Sequence, residues 1–105
     1  MLDMARKIAA KTKGVSRRKY NADENLRLTL AHLIQTIGEA ARRVSPEFRD
    51  AYPQIPWGAI VGMRHKVVHD YMNVDINMVW QTATQEIGPL IAALEKLTPR
   101  EDREA

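Results

Sequence analysis

The fold class is decided by residues 21–44, which read NADENLRLTLAHLIQTIGEAARRV. Apolar residues recur here every three or four positions, the spacing of one face of an α-helix: Leu26, Leu30, Leu33, Ile34, Ile37, Ala41 and Val44. Asn21 followed three residues later by Glu24 is typical of a capping box. We therefore predict a helix from about residue 22 to residue 44.

Helical patterns also occur on the N-terminal side of this segment and directly after it. The spacing of apolar residues in the first ten positions predicts a short helix, with Gly14 as its C-terminal cap and a basic loop after it. After the long helix, Ser45 before Pro46 is an N-cap followed by a first-turn proline. This pair predicts a short helix over residues 46–51, which Pro53 ends.

Two more helices complete the predicted bundle. Pro56 opens a helix from about Trp57 to Tyr71, and Asp75 is a good N-cap for the last helix. Gly88 and Pro89 should interrupt that last helix with a bend, because proline removes a backbone hydrogen bond. No stretch alternates with period two over the length of a strand. The sequence thus predicts an all-α bundle of four main helices and a short connecting helix.

Length and composition limit the class of protein. The chain has 105 residues, of which 45% are hydrophobic, enough for one domain, which we place at residues 1–97 with a polar tail at 98–105. It contains no cysteine, which excludes disulfides, thiolate zinc sites and cysteine nucleophiles. The absence of cysteine fits a cytoplasmic protein best, and the longest apolar run, residues 90–94, is far too short to span a membrane.

Positive charge is concentrated at the N-terminal end. The formal net charge is +3, yet residues 1–20 contain seven Lys or Arg and a single Asp. A basic end can attract a polyanion such as RNA through counterion release. The same residues can equally form an ordinary solvated surface, and charge alone leaves both possibilities open.

Arg64 occupies an unusual position in the predicted helix over residues 57–71. It falls near the middle of the apolar arc, where a core leucine would be expected. Burying an unpaired guanidinium is very costly, so this side chain must reach a carboxylate, a subunit interface or a bound anion such as phosphate. Glu39 and Asp70 are the candidate carboxylates if Arg64 only braces the bundle.

His65 and His69 are four residues apart and would share a face of the same helix. Such a pair can bind zinc, but Lys66 stands where the usual catalytic motif has a glutamate, and its charge opposes a metal. A histidine beside an arginine instead offers a titratable group near a phosphate anchor, which suits RNA cleavage through the 2′-hydroxyl. We expect no metal and no other cofactor.

Small residues on this helix predict close packing. Gly58 and Gly62 are four residues apart, which lets another helix approach, and an arc that contains Arg64 suits a two-fold interface in a homodimer. Tyr71 lies seven residues after Arg64 and so on nearly the same helical face. Taken by itself, Tyr71 is most simply a packing residue.

The run RHKVVHDY at residues 64–71 resembles the RxxxxHxY signature of the HepT-like toxins in the HEPN superfamily. The flanking sequence is similar to the family's second helix, connecting loop, motif helix and start of the last helix: IGEAARRVSPEFRDAYPQIPW (37–57), GMRHKVVHDYMNVD (62–75) and MVW (78–80). The resemblance covers about residues 1–97, and the first helix is shorter at its start than is typical.

This resemblance implies a metal-independent endoribonuclease toxin of a type VII HepT/MNT toxin–antitoxin system. It assigns Arg64 and His69 as catalytic residues and His65 as the supporting polar residue of the motif. Tyr71 would accept AMP from ATP, transferred by a partner nucleotidyltransferase of the MNT type. The toxin would be a dimer with a shared cleft and no membrane association. The alternative is a non-catalytic dimer of the same fold that binds nucleotide, RNA or a partner protein.

Overall fold

The computed structural model describes the backbone of residues 1–70 and 73–97, and the side chains of those residues outside 68–73. Within this part of the chain there are seven α-helices: α1 (Leu2–Thr12), α2 (Arg17–Ala22), α3 (Glu24–Arg42), α4 (Pro46–Ala51), α5 (Trp57–Val67), α6 (Ile76–Gln81) and α7 (Ile87–Glu95). A two-stranded antiparallel hairpin pairs β1 (Val68–Asp70) with β2 (Asn73–Val74). The predicted all-α bundle is confirmed, and the hairpin is a small insertion in it. The predicted tail over residues 98–105 lies outside the described residues.

The central element is α3, which packs against α5 along one side and against α1 along another. Its buried residues follow the predicted helical stripe: Leu30, Ala31, Leu33, Ile34, Ile37 and Ala41. The other long helices contribute Ile8, Ile60, Val67, Ile87 and Leu90 to the same core. None of the described helices combines the length and the apolarity that a membrane span requires.

The segment predicted as a basic loop contains the helix α2. Ser16 caps it, since the Ser16 hydroxyl accepts a hydrogen bond from the backbone N–H of Lys19 at 3.1 Å. The predicted capping box at Asn21 is therefore wrong, because Asn21 lies inside α2. The N-cap of α3 is Asp23, whose carboxylate accepts from the Leu26 N–H at 3.0 Å.

Two of the predicted helix caps are confirmed, and the third is displaced by one residue. The C-cap of α1 is Lys13, and Gly14 follows it with a φ of +72°, the left-handed conformation that glycine adopts without strain. Ser45 caps α4 by accepting from the Phe48 N–H at 3.2 Å. Asp75 caps α6, with one carboxylate oxygen accepting from the N–H groups of Asn77 and Met78, both at 3.1 Å.

Helix α5 ends at Val67, and the predicted continuation to Tyr71 is wrong. The Asp75 N–H donates to the Val67 carbonyl at 2.7 Å, which occupies the acceptor that residue 71 would use in a continuous helix. Val68 pairs with Val74 in the hairpin, a position that suits β-branched residues. Tyr71 itself lies outside the described residues.

The last helix is interrupted ahead of Pro89. Between α6 and α7 the chain forms a π-helical stretch, Thr82–Glu86, closed by a hydrogen bond from the Ile87 N–H to the Thr82 carbonyl. Pro89 has no N–H to give to the Gln85 carbonyl, and its ring crowds that carbonyl. The predicted interruption is thus present, but it lies in the turn before Gly88 and Pro89.

Candidate functional site

Arg64 lies on the α5 face that packs on α3, and its position there depends on Gly38. The buried residues of α5 are Trp57, Ile60, Met63 and Val67. A Cβ atom added to Gly38 would lie only 3.3 Å from the Cβ of Arg64 and 3.5 Å from the Ile60 carbonyl oxygen. The absence of a side chain at Gly38 thus lets the Cβ atom of Arg64 lie directly against α3.

The guanidinium of Arg64 emerges from this contact beside Glu39. Its Nε lies 3.6 Å from Glu39 Oε1, and Glu39 Oε2 lies 3.2 Å from Nη2 of Arg42. One of the two predicted carboxylate partners is therefore confirmed. The Arg64 side chain is 45% exposed, and an ion pair of this exposure contributes at most about 1 kcal/mol. An incoming anion can consequently compete with Glu39 for the guanidinium.

The predicted helical pair of histidines is not formed. His65 is exposed in the last turn of α5, whereas His69 lies in β1, beyond the end of the helix. The side chain of His69 and the whole of Tyr71 lie outside the described part of the chain. The prediction that Tyr71 shares a helical face with Arg64 falls on a residue outside the described part of the chain, and α5 itself ends at Val67. Among the described side chains, no cluster of three or more His, Cys, Asp or Glu could hold a metal ion.

Among the described residues, no other helix of the same chain packs against Gly58 or Gly62, so a close approach there by another copy of the chain stays a prediction. A Cβ atom added to either would meet no described atom within 4 Å. Both lie roughly opposite Ile60 on the helix, at 100° per residue, and so face away from α3. In the described chain it is Gly38 that makes the close helix contact at the site.

Tyr20 fixes α2 to α6, the helix that follows the hairpin, through a contact that no motif or spacing in the sequence predicted. Its hydroxyl donates to the Ile76 carbonyl at 2.6 Å, and its ring packs on Trp80 with centroids 4.8 Å apart. Burial raises the pKa of Tyr20, which keeps the phenol protonated as a donor. Arg17 lies over both rings and donates to the Asn77 side chain.

The last turn of α5 is also tied to the π-helical stretch. Nζ of Lys66 lies 3.6 Å from Oε1 of Glu86, so one of the three consecutive basic residues at the end of α5 is engaged there. Arg64 and His65 remain at the surface on the two sides of Lys66. Two exposed nitrogen-bearing side chains thus lie just before the hairpin that contains His69.

A family model described as "Ribonuclease HepT-like" matches residues 1–97 of this chain. The chain belongs to the HepT-like ribonuclease family. Its HEPN-type bundle and the run from Arg64 to Tyr71 agree with that membership. As a HepT-like ribonuclease, the chain is an endoribonuclease.

Curated relatives of this HepT-like chain bear related names. It is 31% identical over 91 residues to a "Putative RNase" of Caldanaerobacter subterraneus, covering 87% of this chain and 81% of that protein. It is 31% identical over 78 residues to the "Probable ribonuclease HepT" of Thermococcus cleftensis, covering 74% and 71%. A "Putative RNase" of Methanocaldococcus jannaschii is 31% identical over 86 residues, covering 82% and 71%. No solved structure matches the chain.

Proposed function

We propose that this HepT-like ribonuclease is a metal-independent toxin in which Arg64 and His69 cleave RNA. We further propose that it acts as a homodimer and is neutralised when an MNT-type nucleotidyltransferase transfers AMP to Tyr71. The observation that carries the catalytic part is the placement of Arg64. The Cβ of Arg64 lies against α3 at Gly38, while its guanidinium is half-exposed beside the weakly competing carboxylate of Glu39.

Arg64 would bind and stabilise the scissile phosphate. A guanidinium presents parallel N–H groups that match two phosphate oxygens, and it stays charged throughout the reaction. Helix packing fixes the point from which the Arg64 side chain extends, and the contact between its Nε and Glu39 directs the guanidinium. Negative charge that builds on the phosphate during attack would then be stabilised where it forms.

His69 would move the proton of the nucleophile. It follows the end of α5 by two residues, and the hydrogen bond from Asp75 to Val67 holds its hairpin against that helix end. An imidazole that titrates near neutral pH can take the proton from the ribose 2′-hydroxyl. The 2′-oxygen then bonds to phosphorus, and the 5′-oxygen leaves and takes up a proton. The products are a 2′,3′-cyclic phosphate and a 5′-hydroxyl.

The catalytic assignment is tested with purified alanine variants. Arg64→Ala and His69→Ala should each lower RNA cleavage by about 100-fold or more while the fold is retained. Arg42→Ala is the matched control, because Arg42 is exposed and also contacts Glu39, and this variant should keep its activity. Chelation with EDTA should have no effect. Full activity of Arg64→Ala would show that Arg64 only stabilises the helical bundle. RNA binding by the wild type without any cleavage would favour the non-catalytic alternative.

The homodimer is supported by the open face of α5. Gly58 and Gly62 leave a strip without side chains that no described part of the chain fills, and such a strip suits contact with its own copy about a two-fold axis. Light scattering at micromolar concentration should give twice the monomer mass of 12.0 kDa. A mass near the monomer value would contradict this proposal.

AMP transfer is tested by mass spectrometry. Incubation with the nucleotidyltransferase, ATP and magnesium should add the mass of AMP to the intact chain. Tyr71→Phe should stay unmodified, whereas the control Tyr52→Phe should be modified like the wild type. The added phosphodiester would repel RNA and compete for Arg64, so the modified protein should be inactive. The same added mass on Tyr71→Phe would exclude Tyr71 as the acceptor.

A further inference from the structure

The outward face of α2 carries two cations that the fold does not use. Tyr20 points into the core, and each residue of a helix is turned by about 100° from the one before, so Lys19 and Arg18 are directed away from the core. Both are exposed. Their side chains make no hydrogen bond or ion pair within the described residues. The neighbouring Arg17 is different, because it is engaged by Asn21 and Asn77.

The outward face of α2 is fixed in position relative to the end of α5. The Tyr20 hydroxyl binds the Ile76 carbonyl at 2.6 Å, at the start of α6. One residue earlier, the Asp75 N–H binds the Val67 carbonyl at 2.7 Å, at the end of α5. Arg64 precedes Val67 by three residues, or roughly 4.5 Å of helix rise. Two hydrogen bonds therefore connect α2 to the helix turn that carries Arg64.

We infer that Arg18 and Lys19 form a second binding surface, which contacts the phosphate backbone of single-stranded RNA at nucleotides away from the scissile bond. This inference rests on the proposed RNA cleavage. Unpaired exposed cations attract a polyanion without reading its bases, so the surface adds affinity that does not depend on sequence. Tyr20 and Arg17 give α2 a rigid attachment, so the two cations stay in place relative to Arg64.

The test compares a long and a very short RNA substrate with the charge-reversal variant Arg18→Glu/Lys19→Glu. For a single-stranded RNA of about 20 nucleotides, KM should rise about tenfold while kcat is unchanged. The dependence of log KM on log salt should be shallower by about 1.4, since each lost phosphate contact on a single strand accounts for about 0.7. Cleavage of a dinucleotide, which is too short to reach α2, should not change.

The matched control reverses the same number of charges on α1. Lys7 and Lys11 are exposed and lie one turn apart on a different helix, so Lys7→Glu/Lys11→Glu should leave KM for the long RNA near the wild-type value. Equal effects of the two variants would show that only net charge matters and would overturn the inference. An equal loss on the dinucleotide would also overturn it, because the damage would then lie at the catalytic site.

Two further outcomes are separated by direct binding. If the wild type cleaves no RNA, the RNA affinities of the two variants can still be compared by fluorescence anisotropy with the same labelled RNA. Equal affinities of the two variants would overturn the inferred binding surface, whether or not the protein cleaves RNA. If Arg18→Glu/Lys19→Glu binds RNA normally but no longer binds the nucleotidyltransferase, the surface belongs to that protein partner and the inference is wrong. Circular dichroism should show unchanged helix content in both variants.

Discussion

Replacing Gly38 with valine tests whether helix packing sets the position of Arg64. The new Cβ would lie 3.3 Å from Arg64 Cβ and 3.5 Å from the carbonyl oxygens of Ile60 and Val61. All three neighbours belong to the α5 backbone or to the root of a side chain, so none can rotate away. The γ-methyl groups of valine would extend further still, and α5 would have to move away from α3.

The expected cost follows from two opposing terms. Overpacking of this kind costs about 1–3 kcal/mol. Valine regains roughly 0.3 kcal/mol over glycine in helix propensity, which leaves a net loss of about 0.7–2.7 kcal/mol. For a domain of this size each kcal/mol lowers Tm by about 4–8 °C, so we expect a decrease of roughly 3–20 °C. RNA cleavage should fall by more than the folded fraction does, because Arg64 moves with α5.

Gly62→Val provides the matched control on the opposite face of α5. No described atom lies within 4 Å of its added Cβ, so in the monomer the same substitution should leave the free energy of unfolding unchanged or raise it by a few tenths of a kcal/mol. Both variants should be followed by urea unfolding at several protein concentrations, because a lost dimer contact at Gly62 would lower stability only where the wild type is dimeric. If Gly38→Val unfolds at the wild-type urea midpoint, the close contact between α3 and α5 does not hold Arg64. Weaker self-association of Gly62→Val would support a dimer interface at that glycine.

Tyr20→Phe removes the donor to the Ile76 carbonyl and should lower the free energy of unfolding in urea by about 1 kcal/mol at pH 7. Burial raises the pKa of Tyr20 above the ordinary value of 10.0, so the stability difference between the wild type and Tyr20→Phe should be complete below pH 10 and should disappear as the pH rises further. A stability difference that does not change with pH would contradict this explanation. Glu39→Gln should change stability by less than about 1 kcal/mol, since the Arg64 pair is half-exposed, yet should lower cleavage by disordering the guanidinium. Unchanged RNA cleavage by Glu39→Gln would show that the packing of Arg64 against Gly38 positions the guanidinium without help from Glu39.

The parts of the fold that the sequence predicted are those fixed by local interactions. The stripe of α3 follows from helical spacing, and the caps at Ser45 and Asp75 involve N–H groups within three residues. Gly14 likewise adopts a backbone conformation that its own lack of a side chain allows. In each case the determining partner lies close by in the sequence.

The parts that the sequence did not predict depend on distant partners. Helix α2 has six residues and buries only Tyr20, so it has no periodicity to detect, and its anchors at Ile76 and Trp80 are more than 50 positions away. The end of α5 is set by Asp75, which takes the carbonyl that would have continued the helix. The spacing of Gly58 and Gly62 predicted close packing at those two residues of α5. The glycine that makes the close contact at the site is Gly38, on α3.

The end of α5 at Val67 separates the two proposed catalytic residues onto different elements. Arg64 is positioned by the contact between α3 and α5, whereas His69 is positioned by a hairpin attached through Asp75 and the start of α6. A change at Gly38 should therefore act on phosphate binding by Arg64, and a change at Tyr20 should act on the support of the hairpin. On a continuous helix, both residues would move together and no substitution could displace one without the other. The short α5 thus makes the two roles separable by mutation, because each residue depends on a different tertiary contact.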